Sequence, residues 1–221
     1  MYSFPRFAAP GPAHVARLVR ENPFALVITA TGGVPVATHV PVIVESGGES
    51  TFVGATLLGH MARVNPHWRA WDPAATADGS APKTPEPKTP ASKAPEVLVV
   101  FSSAHGYVSP TSYAVDPAVP TWDYAAVHLT GLIEPYPDPL DVVRRTVEAM
   151  ESPRTPSWRP SPASEEVFAR IVSGVAAFRV RVTAEQSVFK LSQDKDDEQR
   201  HRVHRDAGAA VAALMDEVDP R

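Results

Sequence analysis

The chain has 221 residues, of which 43% are hydrophobic, and this is enough apolar material for a packed core. The absence of cysteine excludes disulfide scaffolds, thiolate zinc sites, iron–sulfur clusters and a cysteine nucleophile. The formal net charge of -4 means that the chain has no excess of basic residues to contact phosphates, so the sequence does not favour nucleic-acid binding. No secretion signal or run of ~20 apolar residues is present, so we expect a cytoplasmic protein without a membrane association.

The first third of the chain predicts a short helix followed by antiparallel strands. Pro12 suits a first helical turn, and residues 31–33 form a connection that tolerates the positive φ of a hairpin. Asn65 is expected to cap a short helix with Pro66 at its first position. The predicted elements are, in chain order, a helix over 12–22, strands over 24–30, 34–44 and 51–58, and a helix over 65–71.

Residues 72–96 differ abruptly in composition from the rest of the chain. They are rich in Ala, Pro, Lys, Thr and Ser, so they have too little apolar surface to offset the chain entropy of folding. We therefore expect a disordered insertion in a hairpin, without essential chemistry. The elements predicted after it are strands over 97–102, 122–134 and 175–183, amphipathic helices over 140–150 and 167–172, and a charged helical tail over 194–218.

This order of elements predicts a mainly β fold with peripheral helices (α+β). A barrel is favoured over a parallel α/β sheet, because strands do not alternate regularly with helices. We expect a single domain over residues 1–221, interrupted by the insertion and completed by the helical tail.

Short strings of polar and aromatic residues lie at predicted strand ends, where barrels build ligand sites. They read Ala-Thr-His-Val-Pro, Gly-His-Met-Ala-Arg-Val-Asn-Pro, His-Gly-Tyr-Val-Ser-Pro, Pro-Thr-Trp-Asp-Tyr and Phe-Lys-Leu-Ser-Gln, and they occupy residues 37–41, 59–66, 105–110, 120–124 and 189–193. In order and spacing these five blocks resemble the PaiB-like family, also called FMN-binding negative transcriptional regulators. The resemblance implies a split β-barrel related to the pyridoxamine-phosphate oxidase FMN-binding fold, and a homodimer with cofactor pockets between its subunits.

Two further segments are similar to a smaller group within that family, the piperazate synthases. They are Ser-Pro-Thr-Ser-Tyr at 109–113 and Ala-Val-Pro-Thr-Trp at 118–122. This similarity implies heme b as cofactor and side-chain N-hydroxylated L-ornithine as the small-molecule substrate, which is closed into a ring through an N–N bond with loss of water. The alternative is a PaiB-type regulator that binds FMN and has no catalytic activity. A flavin-dependent oxidoreductase follows from the fold alone and is a weaker analogy.

If the cofactor is heme, His60 is the candidate axial ligand of its iron. Imidazole is a common heme ligand, and Gly59 beside it would allow a porphyrin to approach the backbone. A hydrogen-bonded structural histidine, or one that contacts an FMN phosphate, is the alternative. Arg63 is expected to bind a cofactor propionate or phosphate. Thr38 and His39 must point to opposite faces of their strand, and we expect His39 to point inward.

The other candidates are aromatic or polar side chains of the remaining blocks. Tyr107 and Trp122 are expected to cover a flat ring, although aromatic residues in barrels are more often core residues. Lys190 is expected to attract a carboxylate or phosphate, and proton transfer is assigned to His39 or Tyr107. The predicted catalytic residues are His39, Tyr107 and Lys190, and the predicted cofactor-binding residues are Thr38, His60, Arg63, Asn65, Trp122 and Gln193.

The remaining histidines are assigned structural or solvent-exposed positions. His128 lies within an apolar strand, where a structural role is preferred. His14 and His67 are expected at the surface. His201 and His204 are spaced like a metal pair, but they lie in the charged tail, so a solvated helix face is the preferred interpretation.

Overall fold

A computed structural model describes residues 4–30, 33–72 and 94–218 of the protein. Its strands are β1 (Phe24–Thr29), β2 (Val36–Ser46), β3 (Thr56–Ala62), β4 (Glu96–Val108), β5 (Thr121–Pro135) and β6 (Val175–Lys190). Its α-helices are α1 (Pro12–Glu21), α2 (Pro139–Glu151), α3 (Pro162–Ile171), α4 (Asp197–Asp206) and α5 (Ala209–Val218). Single 3-10 turns cover Pro5–Phe7, Pro66–Ala70, Pro110–Tyr113 and Val172–Gly174.

The strands close into a barrel in the order β1-β2-β3-β6-β5-β4. The pairs β1–β2, β2–β3 and β3–β6 are antiparallel. The prediction of a mainly β barrel with peripheral helices is therefore confirmed. None of the helices in the described residues has the length and apolarity that crossing a bilayer requires.

The chain divides into two compact units. The first unit comprises Met1–Asn22, Val100–His128 and Glu185–Arg221, and the second comprises Pro23–Val99 and Leu129–Ala184. That the whole chain forms one domain stays a prediction. The predicted insertion falls for the most part outside the described residues, as does part of the predicted turn at 31–33.

In the second unit, helix α2 covers the outer face of strands β2 and β3. Val142 of α2 forms a buried cluster with Ile43, Leu58 and Ala177. Side chains alternate between the faces of a strand, so the neighbours of these residues point to the opposite, inner face. The inner face is lined by large buried side chains, among them Leu57 and, from β6, Phe178 and Val180.

In the first unit, an apolar cluster involves the parts of β5 and β6 that belong to this unit. Phe7 packs with Ala126 and Val188, and Tyr124 lies against this cluster. Helices α1, α4 and α5 contribute apolar faces to the core of this unit. The buried side chains of these helices include Val15, Leu18, Val19, Val203, Val211 and Met215.

Strand β3 differs most from its prediction, because it starts and ends later. The run Thr51-Phe52-Val53 reads as strand, yet it forms a turn in which the following Gly54 adopts φ +87. Such a positive φ ends an extended strand. His60 consequently lies within the strand, paired with Ala177, and the expectation that it occupies a strand end is wrong. Similarly, β4 and β6 extend past their predicted ends to Val108 and Lys190.

Candidate functional site

His67 is the centre of a buried polar network in the second unit. Only 3% of its surface is exposed, and its Nε2 lies 2.8 Å from Thr29 Oγ1. Its Nδ1 lies 2.8 Å from Thr38 Oγ1, and its backbone N–H donates to Asn65 Oδ1 at 3.0 Å. Burial lowers the pKa of His67, which keeps the ring neutral. The expectation of a surface position for His67 is therefore wrong.

Thr38 and Asn65 are both engaged in this network. Asn65 Nδ2 donates to Thr38 Oγ1 at 3.3 Å, and Asn65 caps the 3-10 turn that begins at Pro66, as predicted. These contacts give both side chains a structural role. Their predicted role in cofactor binding stays a prediction.

His39 points away from this network, and the expectation that it points inward is wrong. Thr38 takes the inner face with Val40, whereas His39 is exposed and its ring stacks on Phe24 at a centroid distance of 5.7 Å. The physical reason is alternation along β2, which gives the inner face to the side chains that complete the core. His39 thereby shares the outer face of its strand with Ile43.

His60 lies on the outer face of β3, the same face as Leu58 two residues before it. The side chain is half-buried, its Nδ1 is buried without a hydrogen-bond partner, and no described residue donates to or accepts from the ring. Burial lowers the pKa of His60, so the imidazole is neutral and a nitrogen lone pair is available. Buried polar atoms of native proteins nearly always have partners. Nδ1 is closed to solvent, so an external ligand such as a heme iron would have to be bound through Nε2, which no described residue pairs.

Gly59 is required by packing rather than by a cofactor. A Cβ at this position would lie 2.3 Å from Cζ of Phe178, whose ring fills the space beside the glycine on the inner face. The expectation that Gly59 opens the backbone to a porphyrin is therefore wrong. Any planar group bound by His60 has to approach from the outer face of the strand.

Arg63 is held in place just after β3. Its guanidinium lies 4.9 Å from the centroid of the Trp68 ring, and its Nε donates to the carbonyl of Val175 at 3.1 Å. Trp68 in turn donates through Nε1 to the carbonyl of Arg63 at 2.9 Å. The terminal guanidinium nitrogens have no hydrogen-bond partner among the described residues. This pre-positioned cation suits a carboxylate, propionate or phosphate.

In the first unit, Trp122 is flanked by two rings of strand β4. Trp122 lies 5.8 Å from the ring centroids of both His105 and Tyr107, and Trp122 and Tyr107 are more than half exposed. A cavity of about 260 Å³ lies against Trp122 and His105 and reaches Tyr124. Tyr107 and Trp122, the two aromatic residues predicted for the site, thus lie next to His105, which was not among the predicted site residues.

Lys190 and Gln193, also in the first unit, are engaged by local contacts. Lys190 Nζ donates to the Thr121 hydroxyl and, at 2.7 Å, to the carbonyl of Trp122. Gln193 closes the turn after β6, because its Oε1 accepts from Leu191 N at 2.7 Å and its Nε2 donates to the backbone at the strand end. Lys190 keeps one donor for a ligand, whereas the contacts of Gln193 are those of a structural residue.

The structure therefore groups the predicted site residues by unit. Within the described residues, no three His, Asp or Glu side chains converge as a metal site, so His60 is considered as a single axial ligand. His128 is half-buried in β5, and burial lowers its pKa. The second unit holds Thr38, His39, His60, Arg63 and Asn65, and the first unit holds Tyr107, Trp122, Lys190 and Gln193.

Comparison with known proteins gives the family. Residues 1–184 match the family model described as "Putative FMN-binding domain". The chain is 27% identical over 201 residues to "Protease synthase and sporulation protein PAI 2" of Bacillus subtilis, which covers 89% of this chain and 84% of that protein. It is 26% identical over 232 residues to the uncharacterized protein AN0679 of Emericella nidulans, covering 91% of this chain and 90% of that protein.

The solved structures that resemble the chain are more distant in sequence. The flavocytochrome Anf3 from Azotobacter vinelandii is 15% identical, with a TM-score of 0.49 over 85% of this chain and 71% of that chain. An FAD and heme binding protein from Mycobacterium smegmatis is 16% identical, with a TM-score of 0.49 over 90% of this chain and 78% of that chain. Because the family model matches most of the sequence, the chain belongs to the family of FMN-binding domains that includes the PaiB-like proteins.

Proposed function

We propose that this protein is a piperazate synthase-like, heme-dependent enzyme that cyclises side-chain N-hydroxylated L-ornithine through an N–N bond. The observation that carries this proposal is the unpartnered imidazole of His60. Its Nδ1 is buried, and no described residue hydrogen-bonds to the ring. The neighbouring His67 has both ring nitrogens paired, as is usual for a structural histidine. Of the two half-buried or buried histidines of the second unit, His60 is therefore the one whose ring is free to hold an iron.

The proposed reaction is redox-neutral overall. The α-amine nitrogen forms a bond to the side-chain nitrogen, the N–O bond of the hydroxylamine breaks, and the hydroxyl group leaves as water after it takes up one proton released by the amine. A heme iron held by His60 would supply the Lewis acidity that weakens this N–O bond. The atoms balance without an external oxidant or reductant.

Within this proposal, the side chains of the protein orient the substrate and accept a proton. Arg63 would hold the substrate carboxylate, since its guanidinium is fixed over Trp68 and its terminal donors are free among the described residues. His39 would accept the proton of the α-amine, because it shares the outer barrel face with His60. The roles predicted for Lys190 and Tyr107, which are residues of the first unit, stay predictions.

The absorption spectrum of the purified protein tests the proposed cofactor. We expect an intense Soret band for the wild type and its loss in His60→Ala. His128→Ala is the matched control, because His128 is also a half-buried strand histidine with a lowered pKa, and it should retain the band. A wild-type spectrum with flavin bands and no Soret band would overturn the heme proposal.

The reaction itself is tested by incubating the heme-loaded protein with side-chain N-hydroxylated L-ornithine and measuring the product by mass spectrometry. We expect a product lighter by one water. Arg63→Ala should raise KM more than it lowers kcat, because carboxylate binding is largely ground-state binding. An unchanged substrate mass would contradict the proposed chemistry.

A second candidate function is that of an FMN-binding, non-catalytic regulator of the PaiB type. The description of the matched family, which names FMN, favours it. Arg63 would then bind the FMN phosphate, and His60 would lie beside the flavin without a metal. A yellow protein that releases FMN on denaturation and does not convert the hydroxylated substrate would support this function.

We further propose a cytoplasmic homodimer whose partner is a small molecule rather than nucleic acid. The support is the exposure of two apolar side chains of the second unit, since 68% of Phe24 and 93% of Val64 are accessible. Residues this exposed and apolar are typical of interaction surfaces when they lie together with binding residues.

A further inference from the structure

A cavity of about 200 Å³ in the first unit has an acidic wall. Asp123 and Asp206 line it together with the apolar side chains of Val108, Val203 and Val211. The described residues that line it include no Lys, Arg or His. The cavity thus combines an apolar body with two carboxyl groups, a composition that suits a small molecule with a cationic end.

Asp123 has an unsatisfied oxygen in this setting. The residue is fully buried, and its Oδ2 accepts a hydrogen bond from Ser192 Oγ at 2.7 Å. Its Oδ1 is buried without any hydrogen-bond partner. Burial raises the pKa of the Asp123 carboxyl, which means that its charge lacks sufficient compensation from the surrounding protein. A buried, half-paired carboxylate is costly, and a ligand that donates to Oδ1 would remove the cost.

The nearby cation Lys190 does not supply this partner. Its ammonium attracts the Asp123 charge but donates to the Thr121 hydroxyl and the Trp122 carbonyl instead. Asp194 acts in the opposite direction and raises the pKa of Asp123 further. Among the described residues, Oδ1 of Asp123 therefore keeps no hydrogen-bond partner, and the residue lines the cavity.

We propose that this cavity is a binding site for a small aliphatic amine, whose ammonium group donates to Oδ1 of Asp123 while its alkyl chain packs on the valines. Asp206, which is exposed, adds a second negative charge at the wall of the cavity. The site is built from residues of the first unit alone and does not depend on the identity of the cofactor at His60. It would allow the protein to bind an amine-bearing metabolite whether or not it is a cyclase.

Isothermal titration with n-butylammonium chloride at matched ionic strength tests the site. The titration is run at mildly alkaline pH, where the carboxylate is favoured and an alkylamine is still protonated. We expect saturable binding to the wild type that Asp123→Asn weakens on the order of tenfold to a hundredfold, the range for a hydrogen bond to a charged group. Asp116→Asn removes the same charge from an exposed position outside the cavity and should leave the affinity unchanged.

Two further measurements keep the test decisive if Asp123→Asn does not fold. Asp206→Asn, at an exposed position, should weaken the binding of the amine several-fold. n-Butanol should bind the wild type at least about tenfold more weakly than the amine of equal length. No saturable binding of the amine to the wild type would overturn the proposal. Equal binding by folded Asp123→Asn, or equal binding of the alcohol, would overturn it as well.

Discussion

His67 shows how a single buried side chain ties neighbouring strands together. Its two ring nitrogens bridge Thr29 on β1 and Thr38 on β2, and its ring edge contacts Trp71 at a centroid distance of 5.1 Å. All polar atoms of this bridge are paired inside the protein, where hydrogen bonds are stronger than in water. A fully satisfied network of this kind fixes the relative positions of β1 and β2, and with them the outer face of β2 that carries His39.

Acidification should destabilise the protein partly through His67. Burial lowers its folded-state pKa below the ordinary value of 6.5, so the unfolded chain binds a proton in a pH range where the folded protein does not. This contribution to stability is present above about pH 6.5 and is lost as the pH falls through the folded-state pKa. Urea unfolding as a function of pH should show this slope.

The variant His67→Gln separates titration from hydrogen bonding. We expect it to lower stability at neutral pH by about 1–3 kcal/mol, because the threonine hydroxyls are less well paired, and to flatten the acid slope. His39→Gln, at an exposed position, should change the stability at neutral pH little. Part of the slope will remain, because burial also lowers the pKa of His60 and His128. An identical slope in His67→Gln would contradict this assignment.

Alternation and apolar content predicted which residues form strands, but not where each strand ends. Residues 51–53 are β-branched or aromatic and read as strand, yet positive φ at Gly47, Gly48 and Gly54 places them in a turn. The orientation of His39 depended on which face of β2 meets the core, and alternation along the strand does not by itself decide this. Hydrogen-bond partners such as Thr29 for His67 are distant in sequence, so no local pattern reveals them.

Gly131 on β5 lies directly against the backbone of strand β6. A Cβ there would lie 2.6 Å from the backbone carbonyl oxygen of Arg181 and 2.6 Å from Val180 Cγ1. A backbone atom cannot move aside by changing rotamer, so the strands themselves would have to separate. The absence of a side chain at this position is therefore a requirement of barrel closure.

Gly131→Ala should consequently lower the free energy of unfolding by about 1–3 kcal/mol, as overpacking of a core does. Gly174→Ala is the matched control, because a Cβ there meets no atom within 4 Å and the backbone does not have a positive φ. The control should be neutral or slightly stabilising, since alanine reduces the entropy of the unfolded chain. Chemical denaturation of both variants measures the difference, and equal stabilities would show that the strands can relax at Gly131.

For the whole molecule, the family and the barrel followed from blocks of sequence, whereas the chemistry depends on partners that no block specifies. His60 was identified as a candidate from its block, but its unpaired nitrogen is visible only in the folded chain. Asp123 belongs to a block that was recognised, yet its importance comes from complete burial and one missing partner. Burial and pairing are properties of the tertiary structure, and for this reason the sequence alone did not distinguish these residues from their neighbours.

The proposed homodimer makes a prediction about Phe24, an exposed aromatic residue of the second unit. Phe24 is 68% exposed and stacks on His39, a residue predicted to act at the site. An aromatic residue in this position is typical of the buried centre of an interface. Phe24→Glu should place a charge there and shift the protein from dimer to monomer in sedimentation velocity at micromolar concentration.

Val119→Glu provides the control for this change, because Val119 is 74% exposed and lies in the first unit, outside the surface assigned to the dimer. It should remain dimeric and keep the same thermal stability as the wild type. If the cofactor pockets lie between subunits, Phe24→Glu should also lose its visible absorbance while retaining the circular dichroism of a folded β protein. A monomeric wild type, or a Phe24→Glu variant that stays dimeric, would show that the subunits do not associate through this surface.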